Sequence, residues 1–535
     1  MSEPKRMYDI IVETRAGQVG GTTSGGVHTF KGIPYGGPTA GANRFKPPRS
    51  AQSWRGVRDA TRYGPTAPQR TFAEMGGSRS SDPDAVARMV AFGGLLQGMA
   101  GQEPAQGEDC LVLNVWTGGL DTQTSRAVMV WLHGGAFESG SGSWPLYEGT
   151  PLAARGDAVV VTLNHRLGVL GFLSLDEIGG AQYAGSGNAG MLDIVLALEW
   201  VRDNIAAFGG DPDKVLVFGN SGGASKTATL LGMPAARGLF QRGAIMSGPM
   251  THVRTAEHAA AITLQMLDRL KLSTAEVHKL HEVPYATLLA ESAHLAVPIS
   301  DGLAAAANPE AFMPMQPAID GVALPAHPMD DGCPYGTDVA MLVGSAKDDM
   351  KMLMLGLPWF GNLTTDGLEK VAQATFGALA QPMLAAYRRA MPDADPTAIA
   401  CQFVTDRVMW AGAIDWAERK VAGASAPVYV YRFDFETPVM GGILGATHGG
   451  DIPFAFNNYT YTPVAGDRPQ NAAMGQTLSE AFVRFAHTGN PNHAGLPPWR
   501  PYTPSDRCTM TFDAQSRIEV DPRAQVRELY AKLRS

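Results

Sequence analysis

Two features of this 535-residue chain predict an α/β fold with a large, mostly parallel central sheet flanked by helices. Short apolar runs recur, each ending in Gly, Asn or Ser and each followed by a stretch of helical character. The runs are also near-continuously apolar rather than alternating, which marks strands covered on both faces. Strand–helix alternation at this length favours one large α/β domain, residues 1–535, carrying insertions.

The clearest strands are "AVMVWLHGG" (127–135), "AVVVTLNHRLG" (158–168), "KVLVFGNSGG" (214–223) and "RGAIMSG" (242–248), followed by "DVAMLVGSA" (338–346) and "PVYVYRFDFE" (427–436). Between the second and third, residues 189–208 place Met191, Leu192, Val195, Leu198, Val201 and Ile205 at helical spacing. Two stretches read as insertions. Residues 70–107 join a polar loop to a short apolar helix, and residues 350–363, "MKMLMLGLPWFGN", are rich in Met and Leu. Core packing is the default reading for such a Met-rich stretch; an adaptable wall of an apolar pocket over an active site is the other.

Hydrophobic residues make up 45% of the chain, enough for a large core, and the formal charge is −8. That balance argues against nucleic acid or an anionic membrane as the main partner. The first 17 residues hold no apolar core of secretory length, and no run reaches about 18 unbroken apolar residues. The expectation is a soluble, cytoplasmic protein. Cys110, Cys333, Cys401 and Cys508 show no CxxC or Cys/His metal spacing, and read as small buried hydrophobes.

The chemistry centres on "VLVFGNSGGAS" (215–225), an apolar strand running into Gly219-Asn220-Ser221-Gly222-Gly223 and then a helix-forming stretch. A strand ending in Gly-x-Ser-x-Gly reads as a nucleophile elbow, in which small neighbours let strand and helix approach while Ser221 protrudes. The bare pattern also fits an ordinary Gly-rich turn. A serine hydroxyl needs a base to take its proton and donors to hold the oxyanion. "WLHGGAF" (131–137) follows an apolar strand and offers small residues whose N–H groups suit that second task, joined by the N–H of Gly222. Twelve histidines compete for the base. His133 lies in the oxyanion loop itself, and His165 follows a strand end. His448, in "GATHGGDIPF", lies in a Gly-rich loop beyond the last long strand, which suits the Ser…acid…His order of α/β-hydrolases.

Taken together, these residues resemble the type-B carboxylesterase/lipase family, the cholinesterase-like group that includes bacterial p-nitrobenzyl esterases. The likeness spans nearly the whole chain. "FGGDPDKVLVFGNSGG" (208–223) and "EDCLVLNVW" (108–116) match the family's two signatures. "FKGIPYG" (30–36), "RFKPP" (44–48), "NHRLGVLGFL" (164–173), "ALEWVRDNI" (197–205), "IDGVALP" (319–325) and "RFAHTGNPN" (484–492) support them. The resemblance implies an α/β-hydrolase fold with loop and helix insertions over the active site, hydrolysis of small carboxylic esters, and no cofactor or metal. It implies a triad of Ser221, His448 at the "G-x-x-H-G" position, and an acid in "GSAKDDM" (344–350). The matching acid is Asp349, with adjacent Asp348 as its rival. The implied oxyanion donors are the N–H groups of Gly135, Ala136 and Gly222.

Three departures from the family pattern stand out. Asp349 replaces the usual Glu, so its backbone must come one methylene closer to the histidine. Asn220 stands where Glu often precedes the serine, which weakens any preference for a cationic substrate such as a choline ester. Asp451 occupies a common Glu position after the histidine. Secreted animal relatives pair the Cys of the "EDC" segment with an upstream cysteine, and no cysteine precedes Cys110 here. A reducing compartment fits that. Amide or carbamate cleavage by the same triad, and a non-catalytic cholinesterase-like binding protein, are the competing expectations, and the oligomeric expectation is a monomer or small homo-oligomer.

Overall fold

The computed structural model describes residues 8–71, 81–155, 157–295, 314–423 and 425–534. Its strands are β1 (Ile10–Thr14), β2 (Gly17–Ser24), β3 (Val27–Pro34), β4 (Val57–Asp59), β5 (Val112–Thr117), β6 (Arg126–Leu132) and β7 (Ala158–Leu163), then β8 (Gly210–Asn220), β9 (Arg242–Met246), β10 (Ala340–Ala346), β11 (Val428–Phe433), β12 (Cys508–Phe512) and β13 (Arg517–Val520). They join in the order β1-β2-β3-β5-β7-β6-β8-β9-β10-β11-β12-β13, with β4 beside β2. From β7 through β12 every neighbouring pair is parallel. Antiparallel pairs extend both edges: β1, β2, β3 and β5 on one side, β13 on the other.

All six strands expected from the apolar runs fall in the parallel centre, and alternation along each explains why. On β6, Val128, Val130 and Leu132 pack into one core layer, while Ala127, Met129 and Trp131 pack into the layer behind the sheet. On β8, Val215 and Val217 face the first layer and Leu216 and Phe218 the second. Both faces are covered by helices, so both residue sets must be apolar. The edge strands escaped the sequence reading because stretches such as "GQVGGTTS" in β2 are short, polar and rich in glycine.

The helix expected over 189–208 forms as Ala189–Asn204 and tightens into a 3-10 turn over Ile205–Phe208, ended by Gly209 at φ 78°. Met191, Val195, Leu198, Val201 and Ile205 are buried as their spacing requires, whereas Leu192 is only half-buried. Its polar Asp193 is buried instead. That carboxylate accepts from Arg166 Nη2 (2.6 Å), Arg166 Nε (2.9 Å) and the Arg166 main-chain N–H (2.9 Å). A buried charge stands only when paired and hydrogen-bonded in this way. Arg44 and Glu108 form a second two-pronged pair at 2.5 and 2.6 Å. These pairs give a structural role to residues inside "NHRLGVLGFL", "RFKPP" and "EDCLVLNVW".

All four cysteines are buried and free. Among the described residues, no helix is long and apolar enough to cross a membrane.

Candidate active site

One residue separates β8 from the helix Gly222–Leu230, and it is Ser221. Its φ of 57° and ψ of −125° lie in a region that costs an L residue about 1–3 kcal/mol. Such a turn lifts the side chain clear of strand and helix. The main chain fixes it: the Ser221 N–H donates to Met246 O (2.9 Å), and its carbonyl accepts from the Ser225 N–H (3.0 Å). The flanking glycines have a steric reason. A β-carbon on Gly219 would lie 2.6 Å from Leu132 O, and one on Gly223 would lie 3.0 Å from His133 O.

Leu132 ends β6 in register with Gly219 on β8, so the loop that follows begins alongside the elbow. A β-carbon at Gly134 would stand 3.5 Å from that of Ser221. Gly135 and Ala136 take left-handed backbone, at φ 89° and 55°. Ala136 backbone presses on Gly222, where a β-carbon would come within 2.5 Å of Ala136 Cα. The N–H groups of Gly135, Ala136 and Gly222 therefore belong to backbone packed face to face. Gly222 also opens its helix, where N–H groups are unpaired and the dipole favours negative charge.

The acid loop leaves the sheet at the end of β10. Asp349 is buried, and its Oδ1 stands 2.5 Å from His448 Nδ1 while its Oδ2 accepts from the Ala346 N–H at 2.8 Å. Asp348 does something else. Its main-chain N–H donates to Ala446 O (3.0 Å), and its Oδ2 accepts from the Ala446 N–H (3.0 Å). This two-way clamp draws the acid loop onto residues 445–448 and supplies the closer approach that the shorter Asp349 side chain needs. Sequence reasoning treated the two aspartates as rivals; the structure gives them separate positions, one on the imidazole and one on the loop that carries it.

His448 holds 10% of its side-chain surface exposed. A β-carbon on the next residue, Gly449, would lie 3.6 Å from Asn220 Oδ1, which places the histidine loop against the elbow. With Nδ1 on Asp349, Nε2 is the ring nitrogen left to exchange a proton. Burial disfavours the charged ring, yet the charge and hydrogen bond of Asp349, with the charge of Asp451, hold His448 above its ordinary pKa. Asp451 is itself pushed up to about 6, chiefly by burial; the charge of Asp349 adds to this, and a hydrogen bond from Tyr431 (2.8 Å) opposes it.

The other two histidines considered are placed differently. His133 and His165 are buried and stacked, with ring centres 5.0 Å apart. Each Nδ1 faces a carbonyl at 2.8 Å, of Gly134 and Arg166 respectively, so Nδ1 carries the proton. Burial and then the charge of Lys226 drive His133 down to about 3 and lower His165 as well, keeping both rings neutral.

The two expected insertions meet. The helix Pro83–Ala100 presents Arg88, whose Nε donates to Leu355 O (2.9 Å) and Nη2 to Leu357 O (3.3 Å). Met350, Met354 and Leu355 pack in one apolar cluster with Phe92, Leu95 and Met99. Core packing thus accounts for these methionines, while Leu353 is 44% exposed. Residues 72–80 of the first insertion lie outside the described residues. No grouping of His, Cys, Asp or Glu suited to a metal ion occurs among the described residues.

Sequence reasoning missed two roles beside the site. The clamp of Asp348 has no local signal, because Ala446 is far away in the chain. Lys226 did have one: a single charge in the middle of "GGASKTATL", a helix whose every residue is buried.

The model of the Carboxylesterase family matches residues 8–530. A para-nitrobenzyl esterase of Bacillus subtilis (strain 168) is 36% identical over 528 residues, spanning 97% of this chain and 98% of its own. A phenmedipham hydrolase of Pseudarthrobacter oxydans is 33% identical, covering 94% of each. Among solved structures, a carboxylesterase of Geobacillus stearothermophilus superposes with a TM-score of 0.80 at 34% identity, over 97% of this chain and 99% of that one. A PNB esterase gives 0.78 at 34% identity and the same coverage.

Proposed function

The chain belongs to the carboxylesterase family and is a serine hydrolase that cleaves carboxylic esters; from that premise we propose that Ser221, His448 and Asp349 carry the reaction. His448 Nε2 takes the proton of the Ser221 hydroxyl as the serine oxygen attacks the ester carbonyl. The oxyanion rests on the N–H groups of Gly135, Ala136 and Gly222. Collapse expels the alcohol, protonated by His448, and leaves an acyl-serine. Water deprotonated by the same imidazole then releases the acid. Asp349 holds the ring in the Nδ1–H tautomer and balances the imidazolium charge as it forms.

The observation that carries this reading is the 2.5 Å contact of Asp349 with His448, on a loop packed against the strained elbow of Ser221. Labelling with a fluorophosphonate tests it. The adduct is expected on the peptide holding Ser221 and absent from Ser221→Ala. A label elsewhere that survives this substitution rejects the assignment.

The substrate we propose is a small neutral ester, since a neutral Asn220 lies beside the serine. We place the enzyme in the cytoplasm as one α/β-hydrolase domain, monomeric or a small homo-oligomer; the four buried, free thiols support the compartment.

The pH dependence follows from the charges around His448. Only the neutral ring accepts the serine proton, so kcat/KM falls as pH drops through the raised pKa of His448. Asp451→Asn removes a negative charge that favours the protonated ring. The acid limb of the profile is therefore expected to move to lower pH; a limb that stays put or rises contradicts the assignment of His448 as base.

A further inference from the structure

The helix behind Ser221 carries a group that the chemistry above does not use. Lys226 lies wholly buried at the middle of Gly222–Leu230, and no carboxylate pairs with it among the described residues. Its Nζ donates to His133 O at 3.0 Å, across 93 residues of sequence, and stands 5.6 Å from the centre of the Phe137 ring. His133 and Phe137 are the two ends of the loop that presents Gly135 and Ala136.

We propose that Lys226 is a positioning residue of the oxyanion hole, tying the 133–137 loop to the helix that begins at Gly222 so that donors from both converge on one oxygen. The proposal rests on the acyl-transfer reading of Ser221. Two donors come from a loop after β6 and one from a helix after β8. The register of Leu132 with Gly219 and the contact of Ala136 backbone with Gly222 bring these elements together, but productive alignment tolerates only about 0.5 Å of error. The lysine stem rises from the helix and its head grips the start of the loop at a main-chain oxygen, with the face of Phe137 as a second, cation–π contact.

Desolvation sharpens the case. A methionine would fill the stem without burying a charge. Burial draws the ammonium down to about 7, so part of the population near neutral pH is the uncharged amine. Ammonium and amine both keep N–H donors, so the tie to His133 O survives the change. The stacked, neutral rings of His133 and His165 lie near the same group and add no counter-charge.

Two variants test the tie: Lys226→Met, which keeps the stem and loses the donor, and Lys226→Gln, which keeps an N–H donor without charge. The concentration of working sites is set by fluorophosphonate labelling taken to completion. For Lys226→Met, kcat per labelled site on a p-nitrophenyl ester is expected to fall about 10- to 100-fold, less than the 10²–10³ of an outright donor loss. KM is expected to stay within about twofold, because the oxyanion exists only in the transition state and intermediates. Inhibition by a trifluoromethyl ketone, which forms a tetrahedral adduct on the serine, should weaken in parallel, while binding of the matching methyl ketone should not. Lys226→Gln should recover part of the rate.

An unchanged kcat per labelled site overturns the proposal, as does a loss that leaves trifluoromethyl ketone binding unmoved. A glutamine variant no faster than the methionine one assigns the effect to charge and rejects the tie. Failure of both variants to fold under conditions where the parent folds makes Lys226 a folding determinant and equally ends the proposal. A parent chain that takes no label at Ser221 removes the reading underneath, a different failure from a labelled parent whose rate ignores Lys226.

Discussion

Replacing Asp349 with asparagine is expected to lower kcat by about 10⁴-fold while KM changes little, the scale found when the acid of a Ser-His-Asp triad becomes an amide. The amide would still pack in the same buried slot. Its oxygen and nitrogen, however, must share two sites that both need an acceptor: His448 Nδ1 on one side and the Ala346 N–H on the other. An NH₂ turned toward His448 forces the proton onto Nε2, where it blocks the base. Asp348→Asn serves as the contrast. Its side chain accepts from the Ala446 N–H and does not touch the imidazole, and the amide keeps an oxygen that can accept there, so the change should cost far less than Asp349→Asn. Steady-state kinetics normalised to labelled Ser221 measure both. Equal losses in the two variants would show that the carboxylates share the role, and a larger loss from Asp348→Asn would reverse the assignment.

Gly222→Ala is expected to cost at least about 10²-fold in kcat through a single methyl group, the scale of losing one oxyanion donor. The methyl has no room: it would sit 2.5 Å from both the carbonyl carbon and the Cα of Ala136, with the carbonyl oxygen nearer still. These are main-chain atoms, so no side-chain rotation relieves the contact. Either the 133–137 loop retreats, carrying the Ala136 N–H with it, or the helix start moves and takes the Gly222 N–H. Both separate donors that must meet on one oxygen. Ground-state binding should suffer less than turnover, and stability should fall by the cost of overpacking, about 1–3 kcal/mol. A Gly222→Ala enzyme with kcat within a few-fold of the parent would show that the hole has slack that the packing denies.

Much of the architecture could be read along the chain because it rests on short-range regularities. Six of the seven parallel strands announce themselves as near-unbroken apolar runs, since helices cover both faces of the sheet and leave no solvent side to mark with polar residues. The seventh, β12, alternates threonine with apolar residues and went unread. The edge strands lack that signature and stayed hidden, as did the antiparallel pairing of β1, β2, β3, β5 and β13. The elbow was equally legible: glycines at 219, 222 and 223 stand where strand, helix and the 132–136 backbone leave no space for a side chain. Spacing along the chain could not separate Asp348 from Asp349, which are adjacent and chemically identical. That distinction depends on which carboxylate the loop turns toward Ala446 and which toward His448.

Sequence alone thus determined the class of sheet, the serine at its sharp turn and the small residues around it, because each follows from backbone constraints within a few residues. Tertiary structure alone decided which aspartate reaches the imidazole and how a buried lysine comes to hold the loop beside the serine. Those contacts join segments roughly a hundred residues apart, and their partners are fixed by how the sheet orders its strands, which no local pattern records.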